Sequence, residues 1–551
     1  MVRKRGSSVA FRVRGCGAPT IAAVSDELPQ TIGAVVTRAA ERFGEAEAFV
    51  DGDVSLTYVE LAAEVERAAR AFIASGIQPG DRVAIWGPNC LEWAVAQLGL
   101  HTAGAVLVPL NTRFKGNEAA FIIGKARARM LFTVTDFLDT DYVALLAGVE
   151  GLDTLEETVV LRGAVADGTT AWDDFMARAD QVPTEAAVER AAGIDGEDTS
   201  DILFTSGTTG HPKGAMLRHA AGIRAYDAWS TVVGLREGDR YLIINPFFHA
   251  FGLKAGILAA LIKGATILPQ PVFDVPTVME RVPRDRITML PGPPAIYQTI
   301  LNHPDLDRFD MSSLRLAVTG AAPIPVEMVN RMYDTIGFET VVTGYGLTEV
   351  HGIATMCRHD DDPETIANTD GRAIPDVEVL VVDDDGNEVP RGEPGEVVIR
   401  GYNVMSGYFE EPEQTAETID ADGWLHTGDI AVMDERGYID ITDRKKDMFI
   451  QGGFNAYPAE IESLLLAHPD IAQVAVIGVP DERLGEVGMA FVVPTTGSRP
   501  DEAAIVAWAR DAMANYKAPR YVEIVDALPV NASNKVLKTD LRQRASARLG
   551  G

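Results

Sequence analysis

Residues 201–214 read Asp-Ile-Leu-Phe-Thr-Ser-Gly-Thr-Thr-Gly-His-Pro-Lys-Gly, and this stretch decides how the chain is read. It opens with a short buried strand, Asp201 to Phe204, that feeds a loop holding Thr205, Ser206, Gly207, Thr208, Thr209, Gly210 and Lys213. Hydroxyls, free backbone N–H groups and an ammonium are what a polyphosphate needs, and glycines let the backbone come close with its N–H groups turned inward. The spacing is not the GxxxxGK[ST] of a P-loop, so the cradle is of another kind. A plain surface turn does not require so many such residues directly after an apolar strand.

Outward from this loop the chain alternates helix-like and strand-like runs. Helical spacing over Thr31 to Phe43 and Tyr58 to Gly76, a short strand at Ser55 to Tyr58, and strands at Arg82 to Trp86 and Ala105 to Pro109 surround a helix from Cys90 to about Thr102. The pattern continues through Thr266 to Leu268, Ile287 to Leu290 and Leu314 to Val318. It predicts an α/β layered fold with mostly parallel strands. Beyond Gly371 short strands at Val377 to Val382, Gly395 to Arg400 and Gly437 to Thr442 alternate with Gly and Asp turns, a β-rich pattern. After Asp443 a second βα pattern begins: helix Pro458 to His468, strand Ile471 to Val479, helix Glu502 to Met513, strand Tyr521 to Val525. The expected division is a basic, disordered leader over 1–27, a composite N-terminal domain over 28–442 (two α/β layered subdomains and a β-rich one), a hinge at 443–446 and a small, mobile α+β domain over 447–551.

The 551 residues exceed what one core supports, since cores stop growing at about 250–300 residues. Forty-nine basic against eighty acidic residues give a net charge of −31, which argues against nucleic-acid binding and requires a local basic pocket for any polyanion. Three scattered cysteines suggest no disulfide framework, and a reducing, cytoplasmic setting is expected. The longest apolar run, Phe247 to Pro269, is broken by His249, Lys254 and Lys263, so no membrane insertion is expected. A homodimer is left open.

Further motifs follow in order. Val318-Thr-Gly-Ala-Ala-Pro323 ends a strand in small residues. Thr343-Gly-Tyr-Gly-Leu-Thr-Glu349 offers Tyr345 to stack on a base, Gly346 in the turn, Thr348 to reach the α-phosphate, and Glu349 as a hard oxygen for Mg²⁺. Trp424-Leu-His-Thr-Gly-Asp429 places a carboxylate after a glycine turn. Asp443-Arg-Lys-Lys446 lies at the boundary, Gln451-Gly-Gly-Phe454 beyond it, and Asn534-Lys535 near the end. The set resembles the adenylate-forming superfamily of acyl-CoA synthetases, peptide-synthetase adenylation domains and firefly luciferase, from about residue 28 to the end.

That resemblance implies ATP, Mg²⁺ and coenzyme A acting on a small-molecule carboxylic acid. It implies phosphate binding by Thr205, Ser206, Gly207, Thr208, Thr209 and Lys213, adenine lining by Gly320, Ala321 and Ala322, and ribose binding by Asp429 helped by Arg444. Asp443 is the implied hinge. Lys535 is implied to screen carboxylate from triphosphate during adenylation, with Thr205, Glu349 and His249 also catalytic; Asn534 stands where the family usually has Gly. Gly452 and Gly453 are the implied thiol passage. His249, within Asn245-Pro-Phe-Phe-His-Ala-Phe-Gly252, would lie between nucleotide and acid, and Phe247, Phe248 and Phe251 would supply apolar wall. An amino-acid substrate would want an aspartate in the pocket; Asp227 and Asp239 lack the expected context, so a neutral, hydrophobic acid is expected. The runs 244–266, 287–298 and 441–460 resemble the actinobacterial ligases for the indanedione propionate left by steroid rings C and D, with a medium- or long-chain fatty acid as alternative. An acyl-AMP ligase serving a carrier protein and a non-catalytic nucleotide-binding protein are the rival readings.

Overall fold

Thr57 starts the first long helix, Tyr58–Ala74, with a reciprocal cap: its hydroxyl accepts from Glu60 N at 3.2 Å, and the Glu60 carboxylate accepts from Thr57 N at 2.8 Å. The helix stops at Ser75 because Gly76 takes φ 80°, a left-handed conformation that glycine adopts without penalty. The computed structural model describes residues 28–205, 212–320, 324–383, 385–444, 449–456, 458–529, 536 and 538–549. The leader, Ser206, Gly207, Thr208, Thr209, Ala321, Ala322, Asn534, Lys535, the hinge lysines 445 and 446 and the Arg444 side chain lie outside the described residues.

Three sheet systems fill residues 28–444. In the first the spatial order is Gly407–Tyr408, Lys213–Arg218, Thr199–Thr205, Val106–Pro109, Arg82–Trp86, Ala128–Val134, Glu157–Arg162, Thr170–Ala171. From Thr199–Thr205 onward every pairing is parallel. At the other end Lys213–Arg218 runs antiparallel to it, because the connection 206–212 is too short for a parallel crossover. In the second system Arg240–Ile243, Thr266–Pro269, Glu47–Asp51 and Val54–Thr57 form one half, and Leu316–Thr319, Thr340–Tyr345, Thr355–Met356 and Arg372–Ala373 the other. The strand expected at Ile287 to Leu290 narrows to one bridging residue, Met289, which pairs in parallel with both Tyr241 and Leu316 and so joins the halves. Pro291, with no N–H, follows directly and cannot extend the ladder. The third system is the expected β-rich sheet, Val377–Val382, Pro394–Gly401, Leu425–Met433 and Ile439–Arg444, all antiparallel.

Past residue 448, Ile471–Asp481 and Gly485–Pro494 form a long hairpin; the free edge of Gly485–Pro494 pairs with Tyr521–Ile524 in parallel and, at Gly485, with the small hairpin Phe449–Gln451/Phe454–Ala456. Period-two alternation sends Val476, Ala490 and Val492 to one core and Ala475, Ile477, Met489 and Phe491 to a second. A third, larger core runs from Ile32 to Ile439. The cores therefore divide on either side of the segment read as hinge. Among the described residues no helix is long and apolar enough to cross a membrane.

Candidate active site

Thr205 ends the strand at the carboxyl edge of the parallel sheet, where open α/β sheets bind ligands. It lies opposite Lys213 in the ladder. Its hydroxyl donates to Glu349 Oε1 at 3.4 Å, and the Tyr408 hydroxyl donates to the same oxygen at 2.8 Å. Lys213 Nζ stands 5.1 Å from the centre of the Tyr408 ring. Thr205 and Lys213 thus meet Glu349, 144 positions from Thr205, at one point. Glu349 is only 9% exposed and sits in the 3₁₀ turn Thr348–Val350. The next residue, His351, takes φ 60°, which is costly for a non-glycine residue and persists only where neighbours impose it. Here the Tyr226 hydroxyl donates to its carbonyl at 2.8 Å, and its Nδ1 lies 2.8 Å from Asn403 O. Burial, with the Lys254 ammonium adding to it, lowers the His351 pKa to about 4.

On the nucleotide side the Tyr345 hydroxyl donates to Asp429 Oδ2 at 2.6 Å. Asp429 is 6% exposed and pairs in register with Arg444. Gly320 takes φ 152° at the end of Leu316–Thr319, and a Cβ there would lie 3.2 Å from Gly344 O, so the strand-end loop rests on the Tyr345 motif. Gly346 has no room for a side chain: a Cβ would meet Gly352 O at 2.4 Å. Its evident task is to let that turn fold onto itself. Sequence reading missed Asp370, whose Oδ2 accepts from Ile441 N at 3.0 Å. Burial, aided by the charges of Asp440 and Asp429, pushes its pKa up to about 6.

Beyond His249 the apolar run winds as a π-helix, Phe251–Leu258, then a short α-helix, Ala259–Lys263. π segments recur at functional sites. Gly252 permits this one, since a Cβ would sit 2.1 Å from Pro246 O. His249 is exposed at its surface, yet the protein packed around the ring lowers its pKa from the usual imidazole value. Its Nδ1 accepts from Phe251 N at 3.2 Å. Phe247 is fully buried against Trp93, and Phe251 meets Trp229 edge-on. Asn89, also missed by sequence reading, ties the Asn245–Phe247 segment to the end of strand Arg82–Trp86: its amide donates to Asn245 O at 3.0 Å and its Oδ1 accepts from Phe247 N at 2.7 Å. Asp227 is held by Lys263 at 2.7 Å, and Asp239 by Arg315 and Thr288, so both aspartates near this region already have partners.

Gly452 and Gly453 take φ 58° and 84° and form the two-residue turn between Phe449–Gln451 and Phe454–Ala456, where left-handed backbone is required. The turn therefore joins two strands, not a strand and a helix. It approaches the start of helix Pro294–Leu301, with a Cβ at Gly453 placed 3.9 Å from Pro293 Cγ. Among the described residues no group of three or more His, Cys, Asp and Glu could hold a metal. One buried carboxylate beside a hydroxyl suits Mg²⁺, which takes one or two carboxylates and draws its other oxygens from phosphates and water.

Comparison with known proteins agrees with this geometry. Residues 36–409 match the family described as AMP-binding enzyme, and residues 460–535 its C-terminal domain. The chain is 49% identical over 521 residues to the 3-[(3aS,4S,7aS)-7a-methyl-1,5-dioxo-octahydro-1H-inden-4-yl]propanoyl:CoA ligase of Rhodococcus jostii (strain RHA1), covering 94% of this chain and 99% of that one. It is 48% identical over 514 residues to the ligase of the same description from Mycobacterium tuberculosis, covering 93% and 99%. Among solved structures, a Mycobacterium tuberculosis fatty acyl CoA synthetase aligns with TM-score 0.69 at 33% identity, over 94% of this chain and 99% of that one. The chain belongs to the AMP-binding enzyme family, among its AMP-forming CoA ligases.

Proposed function

We propose that this ligase activates a bicyclic, steroid-derived indanedione propionate. The observation that carries the reading is near-half identity, along 99% of their length, to two ligases named for that acid. The surroundings of His249 support it: Phe247 and Phe251 pack on Trp93 and Trp229, and the nearby aspartates that could pair with a substrate amine are already engaged.

In the first half-reaction the acid's carboxylate oxygen attacks the α-phosphorus of ATP and pyrophosphate leaves. Lys213 and the 205–209 hydroxyls would hold the phosphates. Glu349, beside Thr205, would hold Mg²⁺, which screens phosphate charge when bound. Asp429 would accept from the ribose hydroxyls, with Tyr345 and Gly320 bordering the adenine. Lys535 would stand between carboxylate and triphosphate and stabilise the charge that develops. In the second half-reaction the coenzyme A sulfur, its proton lost, attacks the acyl carbon and AMP leaves. The thiol would approach along Gly452-Gly453, near Pro293. Both steps work on the same carboxyl group, the first through its oxygen and the second at its carbon, so the domain over 447–551 would turn about 443–446 to exchange the lysine for the glycine turn.

The test is AMP release from ATP and coenzyme A with the bicyclic propionate against octanoate and palmitate. The bicyclic acid should exceed both in kcat/KM by more than about tenfold, a discrimination within reach of a shaped apolar pocket. Preference for a fatty acid would overturn the assignment. Pyrophosphate and acyl-adenylate formed normally, with no AMP released on adding coenzyme A, would instead favour an acyl-AMP ligase.

A further inference from the structure

Lys517 is a buried ammonium held between carboxylates from opposite ends of the chain. Its side chain is 2% exposed. Nζ lies 2.7 Å from Oε1 of Glu460, at the start of Pro458–Leu465, and 2.9 Å from Oε1 of Glu118, in the first turn of Gly116–Lys125. The carboxylates are almost as buried, at 5% and 9%. Aromatic rings close the site: Lys517 Nζ is 4.7 Å from the Phe114 centroid, Arg113 stands 4.4 Å over Phe454, and Phe454 stacks on Tyr516 at 5.0 Å. Phe454 directly follows the Gly452-Gly453 turn. Residues 113–118 follow the strand Val106–Pro109, whose carboxyl end lies on the same edge of the sheet as that of Thr199–Thr205.

We propose that Glu118 is a positioning residue for thioester formation: by gripping Lys517 it holds the Gly452-Gly453 turn beside Pro293. This role presupposes the hinge motion proposed above. Glu460 lies on the same side of the hinge as Lys517 and travels with it. The ammonium therefore keeps a counter-ion when it leaves Glu118, and an unpaired buried charge is avoided in both arrangements. Glu118 is the partner that can be released, and Glu460 the one that cannot.

Glu118→Gln isolates this grip. Glu118 Oε2 also accepts from Lys115 N at 2.9 Å, and glutamine retains an acceptor for that helix cap. On the full-length chain, ATP–pyrophosphate exchange reads adenylation, and single turnover of supplied acyl-adenylate with coenzyme A reads the thioester step. Exchange and thermal midpoint should stay at the wild-type level, while the thioester rate falls about ten- to hundredfold, the range of one charge-assisted hydrogen bond. Arg113→Gln, on the same seam, should give the same split in smaller measure. Equal loss in both steps, or an unchanged thioester rate in both variants, would overturn the role of Glu118. Lys535→Ala keeps the two claims apart. If it divides the half-reactions and Glu118→Gln does not, only Glu118 is misassigned. If it slows both alike, the hinge motion itself fails.

Discussion

Glu349 shows how much a single side chain can be asked to do at this site. One of its oxygens takes hydrogen bonds from Thr205 and Tyr408, and its carbonyl takes one from Met405 N at 2.8 Å. Glu349→Ala is expected to weaken magnesium-dependent turnover, measured as AMP formation across a Mg²⁺ titration; an unshifted titration would remove Glu349 from the metal's surroundings. Asp370 allows a prediction in pH. Its pKa of about 6 in the fold lies above the aspartate value of 3.8, so the folded protein binds this proton more tightly than the unfolded chain. That contribution is fully present below about pH 4 and is lost as pH rises through about 6. Asp370→Asn keeps an acceptor for Ile441 N and removes the charge. It should stabilise the protein near pH 7.5, by at most about 3 kcal/mol for a shift of this size, with the gain vanishing toward pH 4. Thermal melts across that range check it; a gain that does not change with pH would contradict it. Asp370 was invisible in sequence because its shift arises from burial beside Asp429 and Asp440, which only folding brings near.

Among the elements, the π-helix Phe251–Leu258 and the strand Thr199–Thr205 are tied by a buried ion pair. Lys254 is 1% exposed, and its ammonium contacts fully buried Asp201. Burial alone would raise the Asp201 carboxyl, but Lys254 and His101, 3.3 Å away, hold it well below the usual carboxylate range. The segment after His249 and the strand that ends at Thr205 thus share one anchor. Lys254→Met leaves Asp201 without its ammonium and should cost about 3–5 kcal/mol, measured by denaturant unfolding. Adding Asp201→Asn should recover part of that loss, and a double variant no more stable than the single one would contradict the pairing. In sequence Lys254 appeared only as a break in an apolar run. Nothing in spacing distinguishes a lysine facing water from one facing a buried aspartate. The π winding was equally hidden, since it depends on Gly252 resting against Pro246 rather than on local propensity.

For the whole molecule the central expectation is a division of labour on either side of residues 443–446. Among the described residues, the buried clusters on the two sides of that segment are separate ones. Lys535→Ala should slow pyrophosphate exchange severely and spare thioester formation from supplied acyl-adenylate; equal loss in both would contradict the role given to Lys535. Most of the fold was legible from residue order. Alternating apolar runs foretold the parallel strands, and glycine and aspartate turns foretold a β-rich unit past Gly371, whose antiparallel pairing the structure supplies. Sequence by itself determined the chemistry on offer: loop hydroxyls with Lys213, the Tyr345–Glu349 motif, Asp429 and the paired glycines are local patterns, and local patterns survive in one dimension. Only tertiary structure decided which of these groups touch. It put Thr205 against Glu349, Tyr345 against Asp429, and Lys517 between Glu118 and Glu460. Such contacts join residues 57 to 399 positions apart, and no propensity reaches that far; burial and charge pairing in the packed chain select them.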